Sequence, residues 1–433
     1  MFSEPYKRYV LAALTLVYTL NYVDRGLIIL LLEPIKIDLH LSDTQLGFLT
    51  GIAFGLFYAL LGVPLARLAD RGDRVTLTSL AIALWGVTVM ACVAVTNFVQ
   101  LVFARIAAAV GEAGCVPPTY SLLGDYFPKS AERTRAMSIY WLASPISTLL
   151  SFIAGGWLNE RYGWRVTFLI MGIPALVVAL AFRLTVKEPR TQAARPTVPP
   201  AVPFGDVLRQ LWRRESSRSL SLAIILLFTM SLGLAPWYAS FMMRSHSMET
   251  VELGLWLGLI FGVGGGAGIA AGGFIVSRFF AGNDPRQMQI CAVLMAALLP
   301  CFGLFLLLPH RYAALGALVP LVVLLGFSFG PAFALLQRLV PDKMRATTLA
   351  LVMLMANLIG MGLGPQLVGI LSDLMTPALG SDSLRYAMLA MSCVSLGAAL
   401  YFWRVARFVD RDLAEVRSAT PATQKIEHAV TDV

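Results

Sequence analysis

The sequence predicts an all-α membrane protein with twelve transmembrane helices. Of the 433 residues, 58% are hydrophobic and only 14% are charged, and the apolar residues gather into long runs separated by polar connections. About 20 apolar residues in a helix cross the roughly 30 Å hydrocarbon core of a bilayer. Because soluble domains carry far more charge on their surface, this chain requires lipid around it.

The apolar runs form two sets of six with one long polar segment between them. We therefore divide the chain into a first six-helix half at 1–186, a linker at 187–218, a second half at 219–407 and a tail at 408–433. The predicted spans, numbered 1 to 12, lie near 10–32, 43–66, 75–96, 99–123, 136–158, 165–186, 219–241, 252–275, 287–308, 313–337, 346–372 and 385–405.

Lys and Arg are distributed unevenly among the connections. If the N-terminus is cytoplasmic, the inner segments hold 25 of them and the outer connections six. Positively charged loops stay in the cytoplasm, so we expect both termini there and the protein in the inner (plasma) membrane of the cell. The same bias explains the net charge of +9. No basic face beside readout groups points to a nucleic-acid partner.

The linker contains two different patterns. A Pro-rich stretch is expected to be extended, and a strongly amphipathic stretch follows it. This second pattern predicts a short helix on the inner membrane surface, with packing against the helix bundle as the alternative. Beyond Asp410 the tail is expected to be disordered. The apolar positions of the helix are Phe204, Val207, Leu208, Leu211 and Trp212, with Arg209, Arg213 and Arg214 elsewhere on the wheel.

Several familiar sites are not supported. The five cysteines lie in apolar runs without CxxC spacing and the four histidines are scattered, so we expect no metal site and no cofactor. Gly262, Gly264 and Ala267 match a dinucleotide-binding pattern but lie mid-span with no strand before them, which favours close helix packing. A phosphate-binding GxxxxGK[ST] loop is missing, which argues against ATP hydrolysis.

Four ionisable residues lie in the interior of predicted spans: Asp24 and Arg25 in span 1, and Arg105 and Glu112 in span 4. A charge in the hydrocarbon region is costly, so each is a functional candidate by default. Arg105 and Glu112 are seven residues apart, on nearly the same helix face and about 10 Å apart along the axis. Thr119 continues that face.

On span 1, Tyr18 and Asn21 share a face with Arg25, while Asp24 lies about 100° around the helix. Burial favours the neutral form of a carboxylic acid and a neighbouring arginine favours the carboxylate. One carboxylate can therefore exchange protons while the arginines hold an anion. Glu112 is the first candidate for the proton carrier, since Asp24 beside Arg25 is expected to stay ionised. The alternative is two buried ion pairs that only lock helices together.

The corresponding spans of the second half carry no interior charge. Their thioethers and aromatic rings can form an adaptable apolar surface, although ordinary helix packing is the alternative for each. This asymmetry suggests an amphiphilic ligand whose charged head meets the first half and whose tail meets the second. The residues are Ser231, Trp237 and Tyr238 in span 7; Phe327, Ser328 and Phe333 in span 10; and Met353, Met355, Asn357 and Met361 in span 11. Of these we single out Trp237, Asn357 and Met361 as binding residues.

Two segments resemble the major facilitator superfamily. The connection after span 2 reads Ala66-Arg67-Leu68-Ala69-Asp70-Arg71-Gly72-Asp73-Arg74, and span 6 begins with Gly163-Trp164-Arg165 followed by Phe168. The resemblance implies a major facilitator fold of two pseudo-symmetric six-helix halves that alternate access to a midplane site. It also places Asp70, Arg71 and Arg74 in the inner gate.

Asn21-Tyr22-Val23-Asp24-Arg25 and Gly111-Glu112-Ala113 resemble the spinster family, whose animal members export sphingosine-1-phosphate or lysophospholipids. This resemblance implies that Asp24 and Glu112 take part in proton coupling and that Arg25 and Arg105 bind an anionic head. The sequence therefore predicts a proton-coupled transporter of an anionic amphiphile, acting as a monomer.

Other functions remain open. Proton-coupled symporters of small organic anions carry an element similar to that in span 1. A membrane-embedded lipid enzyme would need His with a carboxylate near the membrane surface, and none is evident. A transport-inactive sensor would be expected to carry a sizeable soluble output domain, whereas the tail is short.

Overall fold

The computed structural model describes residues 2–189, 204–341 and 344–419, and all regular structure in these ranges is helical. The helices are α1 Glu4–Leu39, α2 Asp43–Thr50, α3 Ile52–Arg71, α4 Arg74–Ala91, α5 Phe98–Ala113, α6 Val116–Tyr126, α7 Ser130–Trp141, α8 Ala143–Thr185, α9 Phe204–Arg213, α10 Glu215–Phe228, α11 Ala235–His246, α12 Thr250–Gly258, α13 Gly265–Phe279, α14 Asp284–Leu307, α15 Arg311–Arg338, α16 Arg345–Ala356, α17 Gly364–Leu379, α18 Ser383–Ser392 and α19 Val394–Ala419.

Ten helical stretches within the described ranges are long and apolar enough to cross a membrane. Two of them, Ser130–Thr185 and Thr347–Val416, contain 56 and 70 residues, although one crossing needs only about 20. The first turns at Gly163, whose φ of 76° is readily adopted only by glycine. The second turns at Gly380–Asp382. Each is therefore a pair of spans, and the prediction of twelve is confirmed.

The helices map onto the predicted spans in chain order. Span 1 is α1, span 2 is α2 with α3, span 3 is α4, and span 4 is α5 with α6. Spans 5 and 6 are α7 with the two arms of α8. Span 7 is α10 with α11, span 8 is α12 with α13, spans 9 and 10 are α14 and α15, span 11 is α16 with α17, and span 12 is α18 with α19.

The two sets of six spans meet along three seams: span 1 packs on span 7, span 2 on span 11, and span 5 on span 8. Glycines at every fourth position let two of these seams close tightly. A Cβ on Gly51 of span 2 would lie 2.2 Å from the Gly362 carbonyl oxygen of span 11. A Cβ on Gly254 of span 8 would lie 2.3 Å from the Phe152 carbonyl oxygen of span 5.

The linker and tail differ from expectation in part. The amphipathic segment is helical, as α9, and buries Val207 and Leu211 against α10 and α16. The predicted Pro-rich stretch at 190–203 lies outside the described residues. Disorder from Asp410 onward is wrong up to Ala419, because α19 continues that far. Asp412 is buried there and accepts a hydrogen bond from the Ser216 amide of α10 at 2.9 Å. Residues 420–433 lie outside the description.

Candidate functional site

The four interior charges form two ion pairs between spans 1 and 4. Arg105 donates to Asp24 at 2.5 Å, and Arg25 donates to Glu112 through Nε with a second close contact from its terminal nitrogen. The partner of Asp24 is thus Arg105 and not its chain neighbour Arg25. Asp24 and Arg25 cannot face each other, because adjacent residues on a helix point about 100° apart. The side of span 1 that carries Asp24 faces Arg105 of span 4.

Phe54 of span 2 lies against both arginines. Its ring centre is 5.3 Å from the Arg25 guanidinium carbon and 5.0 Å from that of Arg105. Arg25 also faces the rings of Tyr22 and Tyr58 at 4.4 and 5.0 Å. Attraction between a cation and a ring face is strongest where water is excluded. These rings therefore stabilise the guanidinium groups through their faces, while the N–H edges contact Glu112, Tyr22 and Asp24.

A cavity of about 260 Å³ opens beside these arginines. Its first-half wall combines Arg25 and Arg105 with apolar and aromatic side chains, and its second-half wall is apolar apart from one hydroxyl. Thr50 and Thr148 also line the first-half wall, so the arginines place positive charge on one side of a largely apolar chamber. Wall residues include Tyr22, Arg25, Phe54, Arg105 and Phe152 from the first half, and Ser231, Leu232, Pro236, Phe261 and Met361 from the second.

Widened helical turns bring the second half to the cavity. Spans 7, 8 and 11 contain π-helical segments at Thr229–Gly233, Leu259–Gly264 and Asn357–Leu363. Each contributes to the wall, through Ser231, Phe261 and Met361 respectively. Such bulges are frequent at functional sites because they displace side chains that a regular helix would keep in register.

Four buried polar atoms of the charge cluster have no hydrogen-bond partner among the described residues: Oδ1 of Asp24, Oε2 of Glu112, Nε of Arg105 and Oδ1 of Asn21. A buried ion pair contributes to stability only when its remaining lone pairs and protons are satisfied. Half-satisfied pairs are therefore poor helix locks. Each carboxylate has one oxygen without a hydrogen-bond partner among the described residues.

The other predicted binding residues differ in their placement. Met361 joins Arg25 and Arg105 on the cavity wall. Asn21 is buried with its amide 3.6 Å from the Cys115 sulfur, and Thr119 donates to the Cys115 carbonyl at 2.7 Å. Both side chains therefore make these contacts inside the first half.

Three further predicted residues have packing partners. Tyr18 packs against the tilted rings of Tyr22 and Tyr140, with ring centres 4.9 and 4.8 Å away. Trp237 is fully buried and donates from its indole to the Pro365 carbonyl oxygen at 3.2 Å, which links spans 7 and 11. Asn357 donates to the Met353 carbonyl of its own helix at 2.8 Å.

The predicted gate residues are described only in part, since the side chains of Asp70 and Arg71 lie outside the description. Arg74 is fully buried and pairs with Asp125 at 2.7 Å and with Glu188, and it donates to Ser121 at 2.8 Å. These partners belong to span 4 and the start of the linker. The described contacts of Arg74 therefore tie the first half together.

A charged network that the sequence did not single out joins the halves at one end of the bundle, which we call the sealed end. Arg244 of span 7 donates to both carboxylate oxygens of Asp43 at 2.7 Å each and to Glu33 at 2.8 Å. Lys36 also donates to Asp43, at 2.6 Å. In return, Asp373 of span 11 accepts from the Asp43 amide at the start of span 2, at 3.0 Å.

The comparisons with known proteins agree with this architecture. The sequence model of the Major Facilitator Superfamily matches residues 14–365. An MFS-type efflux pump of Mycolicibacterium smegmatis is 33% identical over 405 residues, which cover 93% of each chain. Protein spinster homolog 1 of Xenopus laevis is 26% identical over 94% of this chain and 82% of its own.

Two further similarities bear on function. The probable galactarate/D-glucarate transporter GudP of Bacillus subtilis is 28% identical over 42% of this chain and 41% of its own. A crystal structure of a bacterial homolog of the human lysosomal transporter spinster, in an inward-facing and unoccupied conformation, has a TM-score of 0.83 and 29% identity. That match covers 95% of this chain and 99% of that one.

Proposed function

Since the chain belongs to the Major Facilitator Superfamily, we propose that it is a proton-coupled secondary transporter that moves an anionic amphiphile by alternating access. Lysophospholipids and sphingosine-phosphate-like lipids are the substrates of this class that the resemblance of Asn21–Arg25 and Gly111–Ala113 to the spinster family implies. The two halves rock about the midplane cavity, and the cavity faces one side of the membrane at a time.

The observation that carries the proposal is the position of Arg25 and Arg105. Both line one wall of a cavity whose remaining surface is largely apolar. Guanidinium groups bind phosphate and carboxylate through paired N–H donors. The head of the ligand binds these donors, and the first part of its tail lies against Phe261 and Met361 of the second half.

Coupling follows from competition for Arg25. Its side chain is 20% exposed, whereas that of Glu112 is 1% exposed, so a ligand in the cavity reaches the arginine first. An anion that draws Arg25 away leaves Glu112 buried without its counter-charge, and a buried carboxylate without a partner takes up a proton. Ligand and proton are therefore bound together, and Asp24 keeps its own pair with Arg105.

The Lys and Arg bias assigns an orientation to the two ends. We place both termini in the cytoplasm, which puts the sealed end on the outer face. The close seams and the Arg244 network then hold the outer side shut. By this assignment the conformation is inward-facing, as in the bacterial spinster homolog of similar fold.

Symport of small organic anions is the second candidate. The cavity volume of about 260 Å³ is just below the roughly 300–1,000 Å³ of most ligand pockets. It suits a small acid or a head group, and a long tail would have to extend beyond it. The similarity to a probable galactarate/D-glucarate transporter also favours this candidate.

The test measures binding of a phosphorylated amphiphile and its dephosphorylated analogue to the protein in nanodiscs. Asp24→Asn combined with Arg105→Ala removes one ion pair without leaving a lone buried charge. We expect this variant to bind the phosphorylated ligand roughly 30-fold more weakly, about 2 kcal/mol for a hydrogen bond to a charged group. The neutral analogue should bind nearly as before.

Arg161→Ala is the matched control, because Arg161 is exposed and is not among the residues that line the cavity. Equal losses for the phosphorylated and neutral ligands would make Arg105 a structural residue. Tight binding of short organic acids, with no gain from a tail, would favour the second candidate.

A further inference from the structure

We propose that α9 is a binding surface for anionic phospholipid head groups at the edge of the second half. This inference concerns the membrane around the protein and does not depend on the transported substrate. It starts from the three faces of a ten-residue helix, Phe204–Arg213.

One face of α9 is fully occupied by the protein. Val207 and Leu211 are 0% and 2% exposed, and the helix packs on α10 and α16. Their burial fixes the rotation of α9 about its own axis. The direction of every other side chain on the helix follows from that rotation.

The next face is apolar and has no protein cover. Leu208 and Trp212 are 49% and 50% exposed, and they lie about 100° around the helix from Val207 and Leu211. Tryptophan is enriched at the boundary between hydrocarbon and water. A second exposed tryptophan, Trp403 of span 12, lies beside Arg404, which donates at 2.6 Å to Glu215 at the start of α10. Both rings therefore lie near the same end of the bundle.

The third face is basic. Arg209 and Arg213 lie about another 100° around the helix, and both are exposed. The side chain of Arg209 is 85% exposed, and its contact with Asp206 is 3.8 Å long. An exposed ion pair of that length contributes little, so Arg209 has donors available for a phosphate.

These faces fit one occupant. Because α9 leads directly into span 7, it lies where the bundle leaves the hydrocarbon. There the apolar face meets acyl chains and the neighbouring basic face meets head groups. Positive side chains at this depth favour anionic over zwitterionic lipid. The buried face of α9, with Val207 and Leu211, packs on α10 and on α16 of span 11.

The test uses the full-length protein in phosphatidylcholine nanodiscs that contain bromine-labelled phosphatidylglycerol or, in parallel, bromine-labelled phosphatidylcholine. Bromine quenches tryptophan fluorescence on contact. The fluorescence of Trp212 is obtained by subtracting the emission of the Trp212→Phe variant from that of the parent protein. We expect stronger quenching by phosphatidylglycerol. Arg209→Gln with Arg213→Gln should weaken that preference about 25-fold, roughly fivefold for each arginine.

Two further variants guard against a folding artefact. Asp206→Asn adds net positive charge to the same helix and should strengthen the preference, while Arg161→Gln on another connection should leave it unchanged. Equal quenching by the two lipids in the parent would overturn the preference for anionic head groups. Absence of Trp212 quenching by either lipid would overturn the lipid contact and indicate that another protein surface covers this face.

Discussion

Replacing Gly51 by alanine is expected to shift the transporter away from the sealed conformation. The added Cβ would lie 2.2 Å from the Gly362 carbonyl oxygen, and Cβ atoms essentially never approach another atom within 3.0 Å. The seam between spans 2 and 11 must therefore widen by at least 0.8 Å, the difference between these two distances. Backbone lies on both sides of the contact, so no side-chain rotation can relieve it.

The energetic cost follows from the same contact. Overpacking a closely packed site costs about 1–3 kcal/mol. If the seam opens in the opposite conformation, this cost is confined to the sealed one. The ratio of outward-open to sealed molecules should then rise by about 5- to 150-fold.

The assay measures spin-label distances between Ile37 and Leu379, exposed residues near the sealed ends of spans 1 and 11. Each is replaced by cysteine after Cys301 and Cys393, the two cysteines that are not fully buried, are changed to serine. Gly62→Ala is the control, because a Cβ on Gly62 in the same span meets nothing within 4 Å. If the folded Gly51 variant gave the same distances as the Gly62 control, the seam would not be a state-dependent contact.

Three more perturbations test other parts of the molecule. Glu112→Gln should abolish uptake driven by a pH gradient while leaving exchange between two substrate pools partly intact, and equal pH-driven uptake would remove Glu112 from proton coupling. Arg74→Ala should lower the free energy of unfolding by about 3 kcal/mol. This value is at the lower end of the range for breaking a buried ion pair, because the carboxylates left behind, Asp125 and Glu188, still reach solvent. The measurement compares the thermal unfolding of this variant with that of the control Arg67→Ala, since Arg67 is exposed. Affinity should rise by about 0.8 kcal/mol per methylene of ligand tail and level off once the cavity is filled. Met361→Ala should reduce this gain in affinity per methylene. If affinity does not change with tail length in the parent protein, an amphiphilic substrate would be contradicted.

Glycine spacing is a sequence signal for the seams between the two halves. Close helix packing, predicted for Gly262, Gly264 and Ala267, is confirmed only at Gly262, where a Cβ would lie 2.9 Å from Leu149. It is wrong for Gly264, where a Cβ would meet nothing within 4 Å, and for Ala267, which is exposed. The same four-residue spacing runs through Gly47, Gly51 and Gly55 of span 2. Small residues at this interval indicate a close helix contact but not which helix is the partner. The sequence therefore indicates which helix faces pack closely. Which helix packs against each of these faces is known only from the folded structure.

The cavity wall was predictable for its charges and less so for its aromatic residues. Arg25 and Arg105 were identified because a charge within a span needs a reason to be there. Phe54 and Phe261 were missed, since a phenylalanine in an apolar span looks the same whether it faces lipid, another helix or a ligand. Trp237 is predicted as part of an aromatic binding surface, yet its indole bonds to Pro365 between spans 7 and 11.

The sequence by itself determined the number of crossings, the four interior charges and the amphipathic helix of the linker. These properties are local, because hydrophobic length, intramembrane charge and helical periodicity are each readable within one segment. Only the tertiary structure decided that Asp24 pairs with Arg105, that Phe54 lies against both arginines, and that Arg244 meets Asp43 across 201 residues of chain. Each of these contacts depends on the relative rotation and depth of two separate helices, which close packing of the whole bundle sets.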